Sequence, residues 1–207
     1  MSNENTKVSV YERLWKLWAM IGKMIMDGVR DPEKVAEVLQ TIVDGVAGVK
    51  IYLKRLFNGE SFAVGAMKST KTFEESGFFP GGVYNENLLG TAKPTSAIKV
   101  VFDELIEDGK FPDFLGNTAL ELERRRLYRG HVIKSCETHR DRFRKDGYAT
   151  FAVITKDDEP VKDDLSNVFV ARVHFGGRGR LGVGVGQFSY DYVWGAEYQH
   201  RVVSPQQ

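Results

Sequence analysis

The stretch from Val168 to Gly186 constrains the fold of this chain more than any other. VFVARVHF (168–175) and LGVGVG (181–186) both alternate with a period of two, and only GGRGR separates them. Successive side chains on a strand point to opposite faces, so this alternation predicts two strands. A connection that short joins them as an antiparallel hairpin. The first strand sets Phe169, Ala171, Val173 and Phe175 against Val168, Val170, Arg172 and His174. The second sets Leu181, Val183 and Val185 against Gly182, Gly184 and Gly186. One face of the hairpin is therefore apolar, and the other turns polar and then loses its side chains. Glycine inside a strand weakens it unless something occupies the vacated space, either a bulky neighbour or a ligand approaching the backbone. Packing by a neighbour is the preferred reading.

The turn also spells G-x-G-x-x-G (177–182), the pattern of a dinucleotide-binding loop. That loop needs a helix to open immediately after it, so that free N–H groups meet the pyrophosphate. Here a strand follows, and no cofactor is expected.

Strand periodicity extends through the C-terminal part, in 148–155, 168–175, 181–190 and 198–203. Earlier segments carry helical spacing. Residues 11–28 repeat Leu14, Trp18, Ile21 and Ile25, and residues 31–45 open on Asp31-Pro32-Glu33, a good helix start. VKIYLKRLF (49–57) reads as a third helix. Thr95 to Gly109 reads as a fourth, on Ile98, Val101, Phe102 and Leu105, and Leu127 to Gly147 as a fifth. Residues 58–94, rich in glycine, read as an irregular connection. The expected fold class is α+β: N-terminal helices, then a C-terminal antiparallel sheet of about four strands with a packed helix. The parts are a helical 1–57, the connection 58–94 and an α+β part 95–207, which together can form one domain.

The single cysteine, Cys136, excludes an internal disulfide and fits a reducing compartment. No apolar run reaches a membrane span, and MSNENTKVSV has no signal-like apolar core, so a cytoplasmic location is expected. Net charge is +1, yet Arg124–Lys145 holds nine Lys/Arg against two acids. Arg124, Arg125, Arg126, Arg129, Arg140 and Arg144, with Arg178 and Arg180 at the hairpin turn, are the candidate binding residues. A phosphate backbone is attracted to such a set. The competing reading pairs it with the acidic loop 156–164.

HRDR (139–142) matches the kinase catalytic loop in isolation, without its other elements. Cys136 and His139 share a helical face but lack an orienting third group, and no histidine spacing suits a metal. The aromatics Phe188, Tyr190, Tyr192, Trp194 and Tyr198 suit either a base-stacking platform or a core, and the core is preferred.

Three segments, DPEKVAEVLQTIVDG (31–45), THRDRFRKDGYATF (138–151) and DYVWGAEYQHRVVSPQ (191–206), resemble an uncharacterised conserved family of small bacterial proteins. The resemblance implies a bacterial intracellular protein with N-terminal helices, an HRD-bearing helix and an antiparallel sheet. It brings no catalytic residues.

No nucleophile, acid/base pair or metal set stands out, so the expected function is a non-catalytic binding or accessory role through protein–protein contacts or self-association. The N-terminal helices, with Trp15 and Trp18, supply an apolar surface for it. The alternatives are nucleic-acid binding through 124–145, and a hydrolase or transferase using Arg172 and His174.

Overall fold

A computed structural model of the protein describes residues 51–207 together with Ala19, Gly22, Lys23 and Met26, which are helical. The chain divides into two units, 1–50 and 51–207. Apart from those four positions, the helices expected over 11–28 and 31–45, with Trp15 and Trp18, lie outside the described residues.

The second unit is built on one mixed sheet of eight strands. In chain order they are β1 (Leu53–Arg55), β2 (Phe62–Val64), β3 (Val83–Tyr84), β4 (Ile98–Leu105), β5 (Thr150–Thr155), β6 (Val168–Phe175), β7 (Leu181–Gln187) and β8 (Arg201–Pro205). Their spatial order is β1-β4-β8-β5-β6-β7-β3, with β2 also pairing along β4. The β5–β8 and β3–β7 pairs are parallel, and the others are antiparallel. Residues 51–207 hold four α-helices: α1 (Phe73–Ser76), α2 (Phe111–Leu115), α3 (Ala119–Arg125) and α4 (Arg129–Thr138).

This architecture corrects the expected one. An antiparallel sheet of about four strands accounts for β5 to β8 alone, and parallel pairing enters twice. The segment read as a helix over 95–109 is β4. Ile98, Val101, Phe102 and Leu105 fit helical spacing, but Val100-Val101-Phe102 is a β-branched and aromatic run. β4 lies between β1/β2 and β8. It buries Val100 and Phe102 in one core and Leu105 in another, so apolar residues occur on both faces. Asp103 is tolerated there because its register partner Arg55 donates Nε to its Oδ1 at 2.5 Å. Thr95, expected at the start of the fourth helix, instead exchanges backbone hydrogen bonds with Met67.

Two more expectations change for related reasons. Residues 53–55 of the expected third helix form β1 against β4, and the connection 58–94 carries β2, α1 and β3. The helix expected over 127–147 ends at Thr138. His139 leaves helical geometry (φ −129°, ψ 35°), and its Nε2 lies 2.7 Å from the Ala63 carbonyl. A short 3₁₀ turn follows over 140–142, which lets Phe143 enter the core.

The sheet carries apolar layers on both faces. On the first face, Phe102, Ile154, Val173 and Val183 pack under Val132, Ile133 and Cys136 of α4. Burial pushes the Cys136 thiol well above its ordinary pKa, so it behaves as a small core hydrophobe. On the second face, Phe151, Val153, Val170 and Val202 pack under Phe111, Phe114 and Leu115 of α2, Leu122 of α3 and Trp194. The second layer covers β8, β5 and the start of β6, and stops short of Arg172.

Candidate functional site

Where the second apolar layer stops, β6 and β7 form the floor of a groove. Arg172 is paired in register with Gly184, and His174 with Gly182. A Cβ at Gly182 would sit 2.9 Å from His174 Nε2, and one at Gly184 would sit 3.4 Å from Arg172 Nη2. The glycines therefore make room for two long polar side chains to lie across the neighbouring strand. What covers the bare face is its own partner strand.

The walls are positioned by backbone. Trp194 is held by a two-way bridge to Gly109, whose N–H and carbonyl both pair with the backbone of Trp194 (3.2 and 2.8 Å). Its loop is tied down again where Ala196 N donates to Asp108 Oδ1 at 2.7 Å. Opposite it, Tyr84 comes from β3, docked by Gly81 N to the Leu181 carbonyl (2.8 Å) and Val183 N to the Gly82 carbonyl (3.0 Å). Gly81 is required, since a Cβ there would lie 2.9 Å from the Leu181 carbonyl oxygen.

Two cavities result, and Arg172 and Trp194 line both. The first, ≈ 260 Å³, is walled by Tyr84, Tyr148, His174 and His200. The second, ≈ 280 Å³, is walled by Asn85, Phe111, Gln187 and Tyr190. Together they reach the ~300–1,000 Å³ of small-molecule sites.

No acidic side chain among the described residues lines either cavity. At the ridge between them, Arg172 Nε and Trp194 Nε1 are buried donors without a hydrogen-bond acceptor. Other arginines also bury an unpaired Nε, but Arg129, Arg142, Arg144 and Arg201 each have another contact through an ion pair or a carbonyl. Arg172 has neither among the described residues. A cation and an indole N–H without acceptors, in a partly enclosed site, favour a ligand that brings negative charge.

No protein-family model matches this chain, and no curated protein and no solved structure matches it. The chemistry of the groove therefore has to be read from its own residues.

His200 lines the first cavity, its Nδ1 lying 3.2 Å from Ala149 N and 3.4 Å from the Ala149 carbonyl. His131 in α4 is held through both ring nitrogens: Tyr128 N donates to Nδ1 at 3.3 Å, and Nε2 lies 3.0 Å from the Ser96 carbonyl. Burial lowers the pKa of both. The unfolded chain, with histidines near pKa ~6.5, then takes up protons first as pH falls. Stability is complete above about pH 6.5 and is lost below it. Thermal melts from about pH 8 to about pH 5 should show the falling midpoint, and His131→Gln with His200→Gln should flatten it. A native protein with no decline would refute the assignment.

His174 Nδ1 faces the Arg172 carbonyl at 3.4 Å. No serine, threonine, cysteine or carboxylate among the described residues lines either cavity. What the described lining offers is a guanidinium, an indole, imidazoles, phenols and carboxamides. No group of three His, Cys, Asp or Glu among the described residues is placed to hold a metal.

The structure scatters the candidate arginines of the sequence. Arg124 is exposed on α3 and, with Arg125, lines a cavity shared with Arg55 and Gln207. Arg126 is bound by Glu123 through both carboxylate oxygens (2.6–3.0 Å). Arg129 is fully buried. Arg144 pairs with Asp146 at 3.3 Å. Arg140 alone of this run joins the hairpin turn, donating Nη2 to the Gly179 carbonyl at 2.8 Å beside exposed Arg178 and Arg180.

The sequence singled out Arg172, His174 and the glycines, and Trp194 as one of the 188–198 aromatics, but not Tyr84, Tyr148 or His200. The aromatics of 188–198 were expected as core. Phe188 and Trp194 are buried, whereas Tyr190, Tyr192 and Tyr198 are exposed, because β7 ends at Gln187 and an irregular loop follows. Among the described residues no helix is long and apolar enough to cross a membrane.

Proposed function

We propose that this protein is a binding protein whose sheet groove holds an anionic ligand at Arg172. The observation that supports this most is the pair of buried, acceptorless donors, Arg172 Nε and Trp194 Nε1, between two cavities whose described lining is free of carboxylates. The aromatic walls favour an anion carried on a flat apolar body over a bare ion, because rings bury much area at low entropic cost. Cation and indole supply orientation; the tyrosines supply area.

The role is non-catalytic in this reading. Arg172 and His174 share a cavity, as a hydrolase or transferase acting through them requires, but no serine, cysteine or carboxylate among the described residues stands beside them, and binding is better supported. A contribution from protein–protein contacts through Trp15 and Trp18 rests on residues outside the described ones.

Calorimetric titration with inorganic phosphate and phenyl phosphate tests the reading. Phenyl phosphate is expected to bind more tightly, and Arg172→Gln to weaken it by about 10- to 100-fold, the worth of a hydrogen bond to a charged group. Unchanged affinity in Arg172→Gln would sink the proposal.

A further inference from the structure

The groove and its surroundings specify the anion more closely, and this step rests on the binding reading above. Both cavities are walled by flat rings, and the rim carries more of them in an exposed state. Tyr84, Tyr190, Tyr192 and Tyr198 are 54, 55, 46 and 38% exposed. Tyr190 and Tyr192 are stacked at 6.1 Å and 20°. Tyr198 stacks at 5.0 Å and 25° on Tyr148, which lines the first cavity. Parallel pairs of exposed rings present outer faces on which further flat groups can stack. Of the loop's carboxylates, Asp191 is paired with Lys110, and Glu197 stays at the rim, bound to the Tyr198 hydroxyl.

The second cavity adds two carboxamides. Asn85 donates Nδ2 to the Val185 carbonyl at 3.3 Å, which leaves its oxygen as an acceptor, and Gln187 is exposed beside it. Amides of this kind pair with the edges of heterocyclic rings.

Past the first cavity, the floor strands run on to the β6–β7 turn. Arg180 precedes Gly184 by four residues, or about 13 Å of strand. Arg178 and Arg180 are exposed there without an ion-pair partner among the described residues. Arg140 and Lys145 line a separate cavity of ≈ 430 Å³ together with Asp141, Phe175 and Gly179, on the opposite face of the sheet from Arg172, so the cations in line with the groove are Arg178 and Arg180. The groove thus has a central cation, ring-lined lobes on either side, and a second group of cations in line with the strand.

We infer that the groove binds single-stranded nucleic acid, with one phosphate at Arg172 and Trp194, an unpaired base in each lobe, and later phosphates at Arg178 and Arg180. Ring stacking serves any base and a basic track serves the backbone, the combination used for single strands. A duplex keeps its bases stacked inward and cannot fill the lobes.

Fluorescence anisotropy with labelled U8 and dT8, and with a hairpin duplex of similar length, tests this. Unlabelled UpU and inorganic phosphate serve as competitors. The single strands are expected to bind at least about tenfold more tightly than the duplex and than UpU. Arg172→Gln should weaken binding by about 10- to 100-fold, and Tyr190→Ala with Tyr192→Ala by about 5- to 150-fold. Arg178→Gln with Arg180→Gln should reduce the salt slope by about one to two. Thermal unfolding of each variant, run alongside, keeps loss of fold from being read as loss of binding. Equal affinity for UpU and the octamers would assign the groove to free dinucleotides and overturn the strand. Phosphate binding that needs Arg172 without any preference for nucleotides would overturn this inference and leave the anion site standing. Absence of binding to phosphate and oligonucleotides alike would overturn both. Loss of octamer binding on Arg124→Gln, with Arg172→Gln unaffected, would move the interface to α3 and also overturn it.

Discussion

Replacing Arg129 by methionine is expected to lower stability by about 3–5 kcal/mol, a large part of the ~5–15 kcal/mol that holds a typical domain. The side chain is fully buried at the start of α4, and its only hydrogen bond among the described residues runs from Nη1 to the Gly90 carbonyl at 2.9 Å. Its charge faces Asp158, with Nε 3.9 Å from Oδ2. Asp158 accepts from Lys93 N at 2.9 Å and from Arg129 N at 3.1 Å. The neighbouring Asp157 accepts from Thr91 N at 2.7 Å. This cluster ties the loop at 90–93 to the turn after β5, where Asp157 and Asp158 both have positive φ (56° and 51°). Burial already pushes the Asp158 carboxyl above its ordinary pKa, and without Arg129 it would lose its nearest cation. Urea denaturation checks the loss, and Arg129→Met with Asp158→Asn should cost less than the two separate losses added. A loss under about 1 kcal/mol would show that the pair does not hold the loop.

Phe151→Ala is expected to cost about 3–5 kcal/mol and to weaken anion binding as well. Phe151 is fully buried on the second face, with ring centroids at 5.3 Å from Phe111, 4.7 Å from Trp194 and 5.1 Å from His200. Removing it leaves a hole behind the tryptophan that forms the groove wall. Phe102 is as deeply buried on the first face, against Phe62 and Phe143. Phe102→Ala should cost similar stability while the folded fraction keeps its affinity for phenyl phosphate. Urea melts and titrations on both variants separate the cases. Equal retention of affinity would mean that Trp194 is held by its backbone bridge to Gly109 alone.

The contrast between these two faces shows what the sequence makes legible. β6 and β7, their hairpin and the polar end of one face follow from period-two alternation, which is a local signal. β4 does not, because a strand buried on both faces loses its alternation and Ile98, Val101, Phe102 and Leu105 imitate a helix. β1 and β3 are three and two residues long, too short to show any period. They exist because β4 and β7 offer free edges, which no window around them reveals. At the site, Arg172 and His174 were visible as polar residues in an apolar strand. Trp194 was visible as one aromatic among five, but its place in the groove was not, since that depends on Gly109, far away in sequence. The basic run misled in the opposite direction, because Arg126 and Arg144 pair with the nearby Glu123 and Asp146, and Arg129 is buried against Asp158.

The glycine repeat of β7 has a consequence for how uniquely this sheet is assembled. Leu181-Gly182-Val183-Gly184-Val185-Gly186 is nearly invariant to a shift of two residues: valine would replace valine inward and glycine would replace glycine outward. Glycine-rich strands specify their alignment weakly. What breaks the degeneracy lies at the ends. The turn closes through Gly176 N to the Arg180 carbonyl at 2.8 Å, and Gly81 packs against the carbonyls of Arg180 and Leu181, donating its N–H to the latter at 2.8 Å. The five residues between the strands thus act as the ruler that sets the alignment of the whole β6–β7–β3 edge. A change in their number would slide Arg172 along β7 and take the cation off the ridge between the two lobes.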